Sequence, residues 1–442
     1  MTYHLLKTIV DVMKGAGMRS GTWIRCAAVV VAVSLAGTAC GSNDGEAAGG
    51  DEAGTARAGS DLAADPGSTE VEGPQPRLVV TDRDSGAVSI LDLATTDELA
   101  RFDYEGAGAA SIVNGRYVFS VDQQAGEVHV VDAGSWTIDH GDHTHSYVRD
   151  PVELGTLTGT KPAHVTTGDR RAAVFFDDDG RSDLVDVADL RDGELSPREI
   201  PARAPHHGVV LPVAGHVLVS TPSEDPDDNR PNGFEVYSAD GDDATLDAAC
   251  PRMHGATVVG TTAIGACDDG LLLVSAQGEE WSAEKLPYPE GITPESRPAS
   301  LYGHDRLPLV VGTAGAPASN DGVVVLDVAN RSWTHIRTPE PALAAELSGD
   351  GTTVFAVLAD GTFATFDAAT GASAASSPVL ERPFDWSDTS ATRPAIAVGG
   401  SRVYVSDPEA GTVAEIDYRD DARVARTFDL GGTISSVGVV GS

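Results

Sequence analysis

GAASIVNGRYVFSVDQQAGEVHVVDAGSWT, residues 108–137, holds three apolar runs separated by two turn sequences, Asn-Gly and Asp-Gln-Gln-Ala-Gly. Short runs rich in Val, Phe and Tyr between such turns read as successive strands of antiparallel hairpins. Six further stretches stack on this one: PAHVTTGDRRAAVFFDDDGRSDLVDVADL, HHGVVLPVAGHVLVS, MHGATVVGTTAIGACDDGLLLVSAQG, PASLYGHDRLPLVVGTAGAPASNDGVVVLDVANRSWT, LAAELSGDGTTVFAVLADGTFATFDAATG and RPAIAVGGSRVYVSDPEAGTVAEIDYRD. Each begins a short strand, turns, runs to an acidic residue, turns again and adds another strand. A period of roughly 42–53 residues with four strands per unit is the pattern of a β-propeller. The chain ends on TISSVGVVGS (433–442), an inner strand without partners, and the repeats begin on RLVVTDRDSGAVSILDL (77–93), outer strands without an inner one. Together they complete one blade. The fold class is therefore all-β, a single propeller over 77–442 closed by its two ends, with eight blades by repeat count and seven as the alternative.

The 442 residues carry 67 acidic against 30 basic side chains, a net charge of −37. That balance argues against binding nucleic acid or an anionic membrane surface through charge. At the N-terminus, Arg19 and Arg25 flank the start of an apolar run, CAAVVVAVSLAG, that ends in GTAC at Cys40. The run is short for a membrane span and has the layout of a signal peptide, so residues 1–40 are read as an export signal with a lipobox-like end and lipidation at Cys40. Simple secretion is the alternative. Residues 1–17 precede a better start at Met18. Residues 41–76 are acidic and lack the apolar side chains needed to offset the entropy of ordering, so a flexible tether is expected there.

Twelve histidines occur in the chain, and three of them fall at the same place in consecutive repeats: His164 in KPAHVTTG, His207 in PHHGVVLP and His254 in MHGATVVG. The first strand of each blade lines the central channel, so these imidazoles are expected to face one another. A second group, HGDHTH at 140–145, lies in a long excursion over residues 138–160, which the spacing places between the end of one blade and the His164 strand. It is expected to bring His140, Asp142, His143 or His145 beside the channel histidines. Three or four nitrogen ligands with an optional carboxylate suit Zn2+, with copper competing on affinity. A single channel histidine is ordinarily a hydrogen-bonded structural residue; three in register are not readily explained that way. His206 is expected to point away from its neighbour His207, and His129, His216, His304 and His335 are read as structural. Cys250 and Cys267 flank His254. In an exported protein they are expected to form a disulfide, thiolate ligation being the alternative. DDDG at 177–180 and DPDDNRPNG at 225–233 contain clustered oxygens but read as ordinary turns. No nucleophile elbow, Walker loop, CxxC pair or HExxH motif is present.

HGDHTHSYVRDP, GTKPAHV, FFDDDG, PHHGV, CPRMHG and CDDG, in this order, resemble the AztD-type zinc metallochaperones of bacterial zinc-uptake systems, from about residue 77 to the end. The resemblance implies an exported zinc carrier that passes its metal to the solute-binding protein of an ABC importer, not an enzyme. It implies a metal set drawn from His140, Asp142, His143 and His145 with His164, His207 and His254. A monomer on the outer face of the cytoplasmic membrane, anchored through Cys40, is expected, with a soluble periplasmic form as the alternative. A metal-dependent propeller hydrolase of lactonase type and a metal-free interaction propeller are the competing readings.

Overall fold

Among the residues described in the computed structural model, 65–442 apart from 107, 238–243, 247, 279, 305, 316–319 and 389, the strands pair into eight sheets of four strands and one of three. Blade 1 is formed by Ile434–Val440 paired with Arg77–Asp82, followed outward by Val88–Asp92 and Glu98–Phe102. Arg77 faces Val440 and Val80 faces Val437, so the two ends of the propeller close one sheet. Blade 2 comprises Ala110–Val113, Tyr117–Asp122, Glu127–Asp132 and Val152–Thr158; blade 3 comprises Pro162–Gly168, Arg171–Phe176, Arg181–Asp186 and Arg198–Pro201. Blade 4 begins at Val210–Val213, blade 5 at Ala256–Val259, and the eighth ends at Arg423–Asp429. The eight-blade count stands.

Sequence pattern explains the burial. Tyr117–Asp122, Arg171–Phe176 and Thr353–Leu358, second strands of their blades, are buried along almost their whole length. They are covered by a neighbouring blade on each face and so read as continuous apolar runs. Outermost strands such as Glu98–Phe102 and Ser373–Pro378 meet solvent and carry polar side chains. Between blades 2 and 3, Tyr117 and Phe119 pack with Val174, Phe176 and Val185 in one apolar cluster.

The acidic residue that recurs after many strands is a turn cap. Asp122 Oδ1 accepts the backbone N–H groups of Gln124 and Ala125 at 3.0 and 2.8 Å, and Asp407 Oδ1 those of Glu409 and Ala410 at 3.2 and 3.1 Å. Asp side chains that bond the backbone two or three residues on fix tight turns. Part of the acidic surplus is therefore structural.

One boundary differs from the expectation. Residues 65–76, assigned to the tether by composition, are folded onto the body. Thr69–Val71 pairs antiparallel with Thr144–Val148, and the Asp65 carboxylate is buried between Arg116 and Arg191. Arg116 also donates to both oxygens of Asp132, at 2.9 and 2.6 Å, and lies over the Trp136 ring. Edge-strand hydrogen bonds and one buried ion pair hold a segment whose lack of apolar residues suggested no structure. The signal peptide, the lipidation site Cys40 and tether residues 41–64 lie outside the described residues. Among those described, no helix is long and apolar enough to cross a membrane.

Candidate metal centres

His164 sits where the inner strand of blade 3 is irregular: the pairing with Arg171–Phe176 shifts register between Pro162 and Val165. His207 and His254 lie just before the inner strands of blades 4 and 5. The three rings converge, with centroids 4.8 Å apart for His164 and His207, 5.5 Å for His207 and His254, and 6.0 Å for His164 and His254. One nitrogen from each lies within 4.8 Å of the others. The Nε2 atoms of His164 and His207 are 3.2 Å apart.

Two of these imidazoles have their other nitrogen committed. His207 Nδ1 donates to the buried Asp177 carboxylate at 2.8 Å, and His254 Nδ1 donates to the Ala299 carbonyl at 2.7 Å. A carboxylate or carbonyl that takes the Nδ1 proton fixes the tautomer and leaves Nε2 as a lone-pair donor. Burial, reinforced by the nearby His207 and His254, pushes the pKa of His164 down to about 4. Burial also lowers that of His254, and Arg230 and Arg297 add to the effect. Both groups are therefore neutral and able to bind a cation at neutral pH.

Asp177, in the sequence a turn residue of DDDG, has a second role in the structure. It stands one residue beyond the position at which blades 2 and 8 place a turn cap, held in blade 3 by Phe176, and its Oδ2 accepts from His207 of the next blade, with Lys161 Nζ at 3.5 Å. Its identity as the partner of a site histidine is invisible in sequence, because DDDG is a turn by every local criterion. Below His254, Arg297 is buried and donates to Asp268 Oδ1 at 2.9 Å, to the Arg252 carbonyl at 2.6 Å and to the His254 carbonyl at 3.3 Å. Cys250 and Cys267 are disulfide-bonded, so neither offers a thiolate to a metal.

The HGDHTH stretch forms a second, separate cluster. It is the tip of a hairpin, Ser135–Asp139 with Thr144–Val148, in which one nitrogen from each of His140, His143 and His145 lies within 4.8 Å of the others. Asp142 is not among these ligand atoms; its carboxylate accepts from His143 Nδ1 at 2.7 Å. Glu70, on the N-terminal strand, accepts from His145 Nδ1 at 2.6 Å. The expectation that this loop joins the channel histidines is corrected. The excursion does not lie between two blades, because Val152–Thr158 is the fourth strand of blade 2 and the hairpin is inserted between the third strand and that one. In an antiparallel four-stranded blade, that connection lies at the end opposite to the one where inner strands begin. The two trios therefore belong to opposite ends of the propeller.

The remaining histidines among the described residues have partners of their own. His206 is buried, with Nδ1 on the Ala204 carbonyl and Nε2 on Ser220 Oγ, both at 2.8 Å, and faces away from the trio as expected. His129 stacks on Tyr104, His216 meets Trp281 edge to face, His304 reaches the Ser348 carbonyl and His335 pairs with Asp321.

A protein of Citrobacter koseri named zinc chaperone AztD is 27% identical over 379 residues, 83% of this chain and 87% of that protein. Its crystal structure superposes with a TM-score of 0.76 at 26% identity, covering 84% of this chain and 98% of that one. Along its propeller this chain is similar to AztD in both sequence and fold. The structure titled apo AztD from the same organism matches equally well. Dihydro-heme d1 dehydrogenase NirN, 15% identical with a TM-score of 0.57, shares the AztD-like fold alone. No family model matches the chain.

Proposed function

We propose that the protein is an extracytoplasmic zinc chaperone that holds Zn2+ on His164, His207 and His254 and passes it to the solute-binding protein of an ABC importer. The observation that carries this reading is the convergence of three imidazole nitrogens within 4.8 Å, in a chain similar along its propeller to a zinc chaperone. Tetrahedral zinc with Zn–N bonds of about 2.0–2.1 Å separates its nitrogen ligands by roughly 3.3 Å. The 3.2 Å between Nε2 of His164 and His207 fits that edge.

Three protein ligands leave one position for an incoming group, so the metal moves by ligand exchange: a donor on the acceptor protein occupies the open place and the imidazoles release in turn. No bond of a substrate is broken. His140, His143 and His145 form a second and more exposed zinc position on the hairpin, with Asp142 and Glu70 orienting His143 and His145 from outside the metal shell. The export signal and Cys40 lipidation place the propeller on the outer face of the cytoplasmic membrane, as a monomer on an acidic tether.

Transfer tests this reading. Zinc-loaded protein mixed with the metal-free solute-binding protein in the presence of excess chelator is expected to deliver zinc faster than the chelator captures it. Delivery no faster than spontaneous zinc release would contradict it.

A further inference from the structure

Beside His254 a cavity of about 370 Å³ opens, lined among others by Arg230, Arg252, Asp268, Glu295 and Arg297. In a chain of net charge −37, three arginines around one cavity at a metal trio form a local exception. Their roles differ. Arg297 is buried and its guanidinium is used on Asp268 and on backbone carbonyls. Arg252 pairs with Asp228 at 2.9 Å and reaches Asp268 at 3.5 Å. Glu295 is at the exposed rim and is hydrogen-bonded by Thr293. Arg230 is half-buried, and its guanidinium has no ion-pair partner among the described residues. It lines the cavity together with His254.

We propose that this cavity is the seat for a carboxylate side chain of the zinc-accepting protein, gripped by Arg230 and delivered to the fourth position of the metal on its His254 side. A guanidinium fork matches the two oxygens of a carboxylate, and a half-buried arginine without a partner is ready to receive one. Zinc takes carboxylate oxygen as well as imidazole nitrogen among its ligands. An acidic group held at this point both docks the partner and starts the exchange. The basic cavity also gives a strongly acidic protein one place where an acidic partner is attracted rather than repelled. This inference rests on the trio being the zinc site.

Zinc removal from the loaded full-length protein tests it with two probes: nitrilotriacetate, which presents carboxylates, and the neutral polypyridyl chelator TPEN. Arg230→Gln is expected to slow removal by nitrilotriacetate by about fivefold or more and to leave removal by TPEN unchanged, with Arg230→Lys in between. Rates that are unaltered for both chelators, or slowed equally for both, overturn the carboxylate seat. A zinc titration of His207→Ala separates the two levels: tight binding that survives this change overturns the trio as the site, whereas lost binding together with indifferent Arg230 variants overturns the seat alone. If citrate protects the loaded protein from nitrilotriacetate but the solute-binding protein receives zinc from Arg230→Gln at the normal rate, the cavity takes small carboxylates and the partner proposal is overturned.

Discussion

His207 of blade 4 donates its Nδ1 proton to Asp177 in the turn of blade 3, at 2.8 Å, and the two groups meet at the boundary between blades. This bond orients the Nε2 lone pair toward His164. Asp177→Asn keeps the size of the side chain but removes the charge and permits the wrong tautomer of His207. The variant is expected to lose about 10- to 100-fold in zinc affinity with little change in fold. Competition with a chromophoric chelator measures the affinity, and far-ultraviolet circular dichroism checks the fold.

Acid should act on His164 later than an ordinary imidazole would suggest. A free histidine takes up its proton near pH 6.5, whereas His164 in the folded protein does so at about 4. Between those values the unfolded chain binds a proton that folded His164 refuses. The metal-free protein therefore loses stability as pH falls from about 6.5 to 4 and gains it on the way back. Competition between this proton and zinc is likewise deferred. Tm of the metal-free protein is expected to drop over that window, while zinc at His164 persists through pH 5.5; a Tm independent of pH there would contradict the assignment.

Cys250 and Cys267 close a loop that contains His254, with 17 residues of sequence separation. Replacing both with Ser is expected to cost on the order of 3 kcal/mol of stability, read from urea unfolding. Zinc affinity should fall less than in Asp177→Asn, because Arg297 and Asp268 still hold the backbone of Arg252 and His254.

The N-terminal segment should matter for the hairpin and not for the channel. Asp65→Ala removes a carboxylate buried between Arg116 and Arg191 and is expected to destabilise by about 3 kcal/mol. Glu70→Gln leaves that anchor intact but frees His145 Nδ1. It should weaken zinc binding at the hairpin alone, measured on a background in which His164 and His207 are alanine.

Repeats made the propeller and its closing blade legible, since middle strands buried on both faces leave apolar runs that turn residues separate. Register between repeats also located His164, His207 and His254. The hairpin was misplaced for a local reason: VELGTLT does not read as a regular strand, because its pairing with Glu127–Asp132 shifts register between Glu153 and Gly155. Without that strand, the excursion looked like a link between blades. Asp177 and Glu70 were missed because each resembles something commoner, a turn cap and a residue of an acidic tether. Their roles depend on partners 30 and 75 residues away, which no local pattern reports.

Zinc is proposed to sit on the channel trio. A competitive zinc titration of the metal-stripped protein, of His164→Ala/His207→Ala and of His140→Ala/His143→Ala/His145→Ala tests it most directly. One tight site is expected, lost in the first variant and retained in the second. Tight binding that survives the loss of His164 and His207, or that vanishes only with the hairpin histidines, would contradict it.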